Sequence, residues 1–386
     1  MIFLPRAVMA FALLGSTFFA GRAAAAPTPG STGPALPATE NRADGSRGRV
    51  GPPVPRKGLR LPEIRLHDPW ILAEKSTQTY YLYSSASPAM TGQHRTGTLF
   101  YKSKDLATWE GPFIAFVCPD DSWADPQTGA WAPEVHAYKG KYYLFTTLHN
   151  PKKPLPTKNP ARPELMRSTM IAVSDSPEGP FHLLKKDAPI APPTFMTLDG
   201  TLYVDPAGRP WMVYAHEWIQ KVDGTIEALP LTDDLSAAGD PILLFKGSDA
   251  PWLNEQAVPN AGENHYVTDG PELFRTKDGH LLMLWSSYER NRFGRDGYVE
   301  TLARSKSGEL KGPWEQLPPL VRNDSGHGML FHSFDGKLML VLHQPFKNAR
   351  GKIYEMEDLG DTLRVAKYRE DLSGPALGPQ RGQNPQ

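Results

Sequence analysis

The sequence predicts an all-β fold, a five-bladed β-propeller, and three observations carry that reading. A strand-rich passage recurs five times, with a period of roughly 60 to 70 residues. Four of the copies carry a Gly or Asp-Gly reversal, in "YKGKYY", "DPAGRP", "TKDGHL" and "SFDGKL", between runs of apolar and aromatic residues, the chemistry of tight hairpins. No strong amphipathic helix pattern interrupts the copies. Four strands per repeat around a common axis make a propeller blade.

The five copies open on "HDPWILAEKSTQTYYLYSS", "WAPEVHAYKGKYYLFTTLH", "LDGTLYVDPAGRPWMVYAHEW", "TDGPELFRTKDGHLLMLWSSY" and "GHGMLFHSFDGKLMLVLHQP". Each opening reads as strand, turn, strand, and each is followed by a second strand pair. Three of those second pairs share related text, "SKDLATWEGPF", "SDSPEGPF" and "SKSGELKGPW". Tails repeated at the same phase argue against a β-sandwich with accidental similarity. The repeats define one domain over residues 58–372.

The flanks read differently. Residues 1–26 place a basic residue, Arg6, before an apolar run and a tract of small residues, which predicts a cleaved secretory signal. Residues 27–57 and 373–386 are rich in Pro, Gly and polar residues and too poor in apolar surface to offset their ordering entropy, so a linker and a tail are expected. The chain is therefore expected to be secreted or periplasmic, with no membrane association after cleavage. Equal numbers of basic and acidic residues give a formal net charge of zero, which excludes the electrostatic footprint of a nucleic-acid partner. The one cysteine, Cys118, allows no intramolecular disulfide and no cysteine-rich metal site, and reads as a core residue. A monomer is expected.

In a propeller the first strand of each blade lines the axial channel, so residues opening those strands surround one mouth. The motifs place Asp68, Glu134, Asp199, Asp269 and His327 there. Converging carboxylates repel one another and resist ionisation when buried, which marks such a cluster as a candidate site. Trp70, Trp131, Trp218 and Trp285 lie near the same motifs, and each is either packing between blades or a stacking platform for sugar. Two carboxylates flanking a glycosidic bond are the minimal equipment for its hydrolysis. No Ser-His-Asp nucleophile signature, phosphate loop or dinucleotide fingerprint is present.

From Leu61 to Tyr368 the motif set "HDPWI", "WAPEVHAYKGKYYLF", "LDGTLYVDPAGRPWMVY", "TDGPELFRTKDGHLLMLWSS" and "GHGMLF" resembles glycoside hydrolase family 43, five-bladed propellers that cleave plant and related polysaccharides. The resemblance implies an inverting mechanism with three acids. Its general base falls on Asp68. A second Asp, which orients the acid and adjusts its pKa, falls on Asp199, while the nearby Asp205 reads as a turn residue. The family's acid is the Glu of an "EGP" motif, and here the text is "TDGP", which puts Asp269 in its place. Three readings stay open: Asp269 is the acid in a tightened site, Glu217 of "YAHEW" supplies it, or the site is crippled. Glu272 is a weaker candidate. His327 matches a histidine beneath the pocket of family relatives, often beside calcium, so a calcium ion near it is left open and no cofactor is expected to be required.

The resemblance thus implies an exo-acting hydrolase of arabinose-, xylose- or galactose-type linkages in polysaccharides or oligosaccharides. A non-catalytic carbohydrate-binding propeller is the alternative from another class, separated by whether any glycoside is cleaved. A protein-interaction propeller would not cluster acids at one mouth.

Overall fold

The computed structural model describes residues 51–157, 163–253, 256–257, 264–289 and 297–376. The predicted signal lies outside them, as do the predicted linker up to residue 50 and the predicted tail from residue 377. No helix among the described residues is long and apolar enough to cross a membrane.

Five antiparallel sheets follow one another along the chain as five blades. The first strands are Trp70–Glu74, Trp131–Tyr138, Thr197–Val204, Asp269–Arg275 and Gly326–His332. Each touches the next around a closed ring, the last against the first. Within each blade consecutive strands pair in chain order. Blade one has a fifth, outermost strand, Arg56–Leu59, paired with Trp109–Val117. It begins two residues inside the stretch read as linker.

The turns repeat as the sequence suggests. Asp205, Thr276 and Ser333 each donate a backbone N–H to the carbonyl four residues on, at Arg209, His280 and Lys337. In blade two Lys139 and Gly140 form a two-residue reversal with φ of 45° and 78°, the left-handed geometry that hairpin turns demand. The Gly-Pro bonds of the three related tails are all cis. Asp205 is a turn residue as read, accepting from the amides of Ala207 and Arg209 and from the side chains of Arg209 and Trp211. Cys118 is buried in the core.

One irregularity positions the site. The first strands of blades two to five each slip register, between Trp131 and Glu134, Leu198 and Thr201, Asp269 and Glu272, and Gly326 and Met329. These are β-bulges, which bend a strand and re-aim its side chains. One residue in each has positive φ: Ala132 at 43°, Asp199 at 55°, Gly270 at 46° and His327 at 48°. Asp68, two residues before the first strand of blade one, has 48°. The true five-fold phase at the mouth is therefore Asp68, Ala132, Asp199, Gly270 and His327.

Two expected members of the ring change accordingly. Glu134 falls two residues past the bulge, one layer deeper, where it is buried and bonded to His136 Nε2 at 3.0 Å. It does not belong to the acids at the mouth. Asp269 precedes its bulge residue by one, so it is offset from Asp68 and Asp199 but still reaches the cluster.

Candidate active site

His327 is the hub. Its Nδ1 lies 3.3 Å from Asp68 Oδ1, 3.5 Å from Asp269 Oδ1 and 3.8 Å from Asp199 Oδ2. Its backbone is fixed from behind, because its N–H donates to Ser286 Oγ at 2.8 Å and the next amide, Gly328, donates to Glu300 at 2.6 Å. Burial opposes protonation of this imidazole, but the surrounding charges of Asp68, Asp199 and Asp269 outweigh it and hold its pKa well above the ordinary value. Only glycine fits at position 270, where a Cβ would meet the His327 ring at 2.8 Å.

Three imidazoles approach Asp68, all through one oxygen. His67 Nδ1 donates to Oδ1 at 2.8 Å, and His327 and His343 each stand 3.3 Å from it. His343 Nδ1 also accepts the Asp68 amide at 3.3 Å, and its ring stacks on His67 at 3.9 Å. Burial works against an ionised Asp68, yet the charges of His327 and His67 and the imidazole hydrogen bonds keep its pKa well below the usual carboxylate range. His343 is itself pushed down to about 4 by burial and the charge of His67, so it is neutral.

Asp199 and Asp269 form a hydrogen-bonded pair with one proton between them. Burial and the charge of Asp269 drive the pKa of Asp199 well up. Burial acts the same way on Asp269, but hydrogen bonds from Asp199 and His327 and the charge of His327 bring it down to about 2. Tyr298 Oη donates a further bond to Asp269 Oδ2 at 2.7 Å. Like charges this close cannot both ionise, so the pair carries one negative charge.

Glu217 stands at the end of the second strand of blade three, Pro210–His216, which returns to this mouth. It is buried and ion-paired with Arg167, which is buried too. Burial raises its pKa, the charge and hydrogen bond of Arg167 lower it, Asp269 raises it again, and the balance is upward.

The four tryptophans divide. Trp70 and Trp285 are core residues, which corrects the expectation that they line the site. Trp70 is buried and donates Nε1–H to the Val135 carbonyl between blades. Trp285 is fully buried and packs on Phe245 and Trp252. Both lie on strand faces covered by a neighbouring blade, Trp70 by Val135 of blade two and Trp285 by Phe245 of blade three. Trp131 is partly exposed and lies 3.9 Å from the His149 ring and 4.8 Å from the Arg167 guanidinium. Trp218 is partly buried and joins Tyr288, Tyr298 and Phe346 in an aromatic cluster. Glu272 accepts the Leu330 amide in the deeper layer and its pKa is raised well up by burial, away from the mouth cluster.

Sequence reading passed over Arg167, His343, Tyr298 and Phe346. The ends of second strands could have revealed part of this, since "TTLH", "YAHE" and "VLHQ" each set polar residues where those strands return to the mouth.

Two groups could hold a cation, His67 with Asp68 and His343, and Asp199 with Asp269 and His327, their ligand atoms within 4.8 Å of one another. Calcium takes roughly six to eight oxygen ligands. Neither group, among the described residues, offers more than two carboxylates, so a calcium ion held by either would draw most of its ligands from water.

Residues 62–365 match the model described as glycosyl hydrolases family 43. Among solved structures the chain is similar to an endo-arabinase from Bacteroides thetaiotaomicron VPI-5482, at 38% identity, covering 78% of this chain and 98% of that chain, with a TM-score of 0.67. It shares its fold with a thermostable family-43 glycoside hydrolase, at 21% identity over 87% of this chain and 98% of that chain, TM-score 0.62. An α-L-arabinofuranosidase from Lactobacillus brevis has the same fold, at 15% identity over 78% and 96%, TM-score 0.57. No curated protein matches the sequence.

Proposed function

Because the chain belongs to glycosyl hydrolase family 43 and is a glycoside hydrolase, we propose that it is a secreted, inverting enzyme that removes arabinose-, xylose- or galactose-type units from polysaccharides or oligosaccharides. One observation carries the mechanism: two carboxylates at this mouth have opposite protonation environments. Asp68 is held ionised by the charges of His327 and His67, and Glu217 is pushed toward the neutral acid. Such a split is how paired acids divide base and acid work.

Asp68 is the general base. Its Oδ1 is occupied by imidazoles, which leaves Oδ2 to take a proton from the attacking water. Glu217 is the general acid and gives its proton to the glycosidic oxygen as the bond to the anomeric carbon breaks. The water enters on the opposite face, so the sugar leaves with inverted configuration. Asp269 accepts from Tyr298, stands beside the His327 imidazole and shares one proton with Asp199, surroundings that favour its ionised form and make it a poor proton donor. Its negative charge instead raises the proton affinity of Glu217, and Asp199 holds the proton that keeps the pair singly charged. The imidazolium of His327 balances Asp68 against that pair. No step is routed through a cation.

The N-terminal sequence supports export. The short-acid motif and the "AHEW" text favour exo action by the family resemblance. An endo reading has its own support, because the 38% identical relative bears the name endo-arabinase. Hydrolysis of nitrophenyl arabinofuranoside, xyloside, galactofuranoside and galactoside tests the activity, and the product sizes from linear arabinan separate the two modes. Release of single sugars only is expected. Early mixed oligomers would establish endo action, and failure on every substrate would overturn the assignment. Early-time NMR that found the substrate's configuration retained would refute the role of Asp68.

A further inference from the structure

We propose that Arg167 is a positioning residue for the proton donor, clamping Oε2 of Glu217 so that Oε1 is the oxygen presented to the leaving group. The inference rests on the reading of Glu217 as the acid and adds how that acid is held.

The guanidinium is fixed in three directions. Nη1 donates to Glu217 Oε2, Nε donates to His149 Nδ1 at 2.9 Å, and its face lies on the Trp131 ring at 4.8 Å. A planar fork constrained this way sets the orientation of the carboxylate it binds, which a lysine's single ammonium cannot reproduce. His149 is a lasting acceptor. Burial and the charge of Arg167 push its pKa well down, so it stays neutral and its Nδ1 lone pair stays available.

The two backbones are registered by the same residue. Arg167 forms a parallel bridge with Met196, and the Glu217 amide donates to the Met196 carbonyl at 2.9 Å. Met196 is held in turn by Gln220, whose Oε1 accepts its amide at 2.9 Å. Blades two and three therefore meet at Met196 whether or not the ion pair exists. An ion pair that served only to join the blades would be redundant with this backbone. What the side chains add is control of one carboxylate oxygen.

Among the described residues, the charged and titratable groups that act on Glu217 are Arg167 from the third strand of blade two, Asp269 from the first strand of blade four, and His216 beside it, itself bonded to Glu227. His149 stands behind Arg167. Removing the guanidinium leaves the negative charge of Asp269 unopposed, so the acid would keep its proton to higher pH.

The test compares Arg167→Met, Arg167→Lys, Glu217→Gln and the double variant Arg167→Met/Glu217→Gln on a dinitrophenyl glycoside and a disaccharide of the same sugar. The proposal expects Arg167→Met to lose about 10-fold or more on the disaccharide and little on the dinitrophenyl substrate. It also expects the alkaline limb of the pH profile to move up by about one unit or more. Arg167→Lys should return the limb toward its original position while disaccharide cleavage stays slow, since charge is restored without the fork. The double variant should be no slower than Glu217→Gln alone. Equal loss on both substrates with an unmoved limb would overturn the proposal, as would a further loss in the double variant. Glu217→Gln without any leaving-group dependence would instead refute Glu217 as the acid. If Arg167→Met fails to fold, Arg167→Lys and the double variant decide the matter.

Discussion

Replacing Asp68 by Asn tests the base without dismantling the site. Asn keeps an oxygen where Oδ1 accepts from His67, and the bond to His343 comes from the backbone amide, which no side chain alters. The fold should survive. The lost function is proton abstraction from water, worth about 10²- to 10⁴-fold, or about 3 to 5 kcal/mol of barrier. A stability signature accompanies it. The folded-state pKa of Asp68 is depressed, so its contribution is present above the unfolded value of about 3.9 and is lost as pH falls through the lower folded value. Asp68→Asn should therefore be less stable than the parent at neutral pH, with the gap closing on acidification. The assays are kcat/KM on a nitrophenyl glycoside, with and without azide, and stability measurements from pH 7 down to about pH 1.5, through the window in which the gap should close. Undiminished turnover would refute the role of Asp68. A stability gap independent of pH would refute the electrostatic account of why it stays ionised.

The two candidate acids separate by leaving group: Glu217→Gln should impair disaccharide cleavage far more than dinitrophenyl cleavage, whereas Asp269→Asn should slow both, measured as the ratio of the two kcat/KM values. His343, near 4, takes up no proton in the folded state between about pH 6.5 and 4 while the unfolded chain does; stability from this group is therefore lost as pH falls through that window, by about 3 kcal/mol at most. Urea titrations of His343→Gln should show a shallower acid loss than the parent. Trp285→Ala should destabilise by about 3 to 5 kcal/mol as a core cavity, with KM unchanged in whatever fraction stays folded, which a substrate platform would not allow.

Much of this fold was legible because blades repeat. The Gly-containing turns at Gly208, Gly279 and Gly336 fall at the same phase, and each opens the same hairpin geometry. Asp68 and Asp199 were legible for that reason too. Phase failed at Glu134 and Asp269, which stand two residues past and one residue before the left-handed residue of the bulge that blades two to five share. Bulge positions follow from φ, and "WAPE" and "TDGP" do not announce which residue turns left-handed. Trp70 and Trp285 were misjudged because burial of a strand face depends on the neighbouring blade. Arg167 and Tyr298 sit on third strands, where no motif marks them, and they reach the site only because blades two and four bring those strands beside the mouth.

The bulges also explain how the acid can change blades. In blade four the bulge residue is Gly270, so the carboxylate comes from Asp269, one residue earlier and offset from Asp68 and Asp199. There it meets Tyr298, His327 and Asp199, three partners that favour its ionised form or share its proton. A donor needs the opposite surroundings. Glu217 comes from the end of a second strand, outside the bulge ring, and among the described residues its side chain is bonded to a single guanidinium on one oxygen. Its burial raises its proton affinity, and the ionised Asp269 raises it further. On the proposed reading the shortened residue in blade four and the longer one in blade three are parts of one arrangement, in which Asp269 supplies the field and Glu217 the proton.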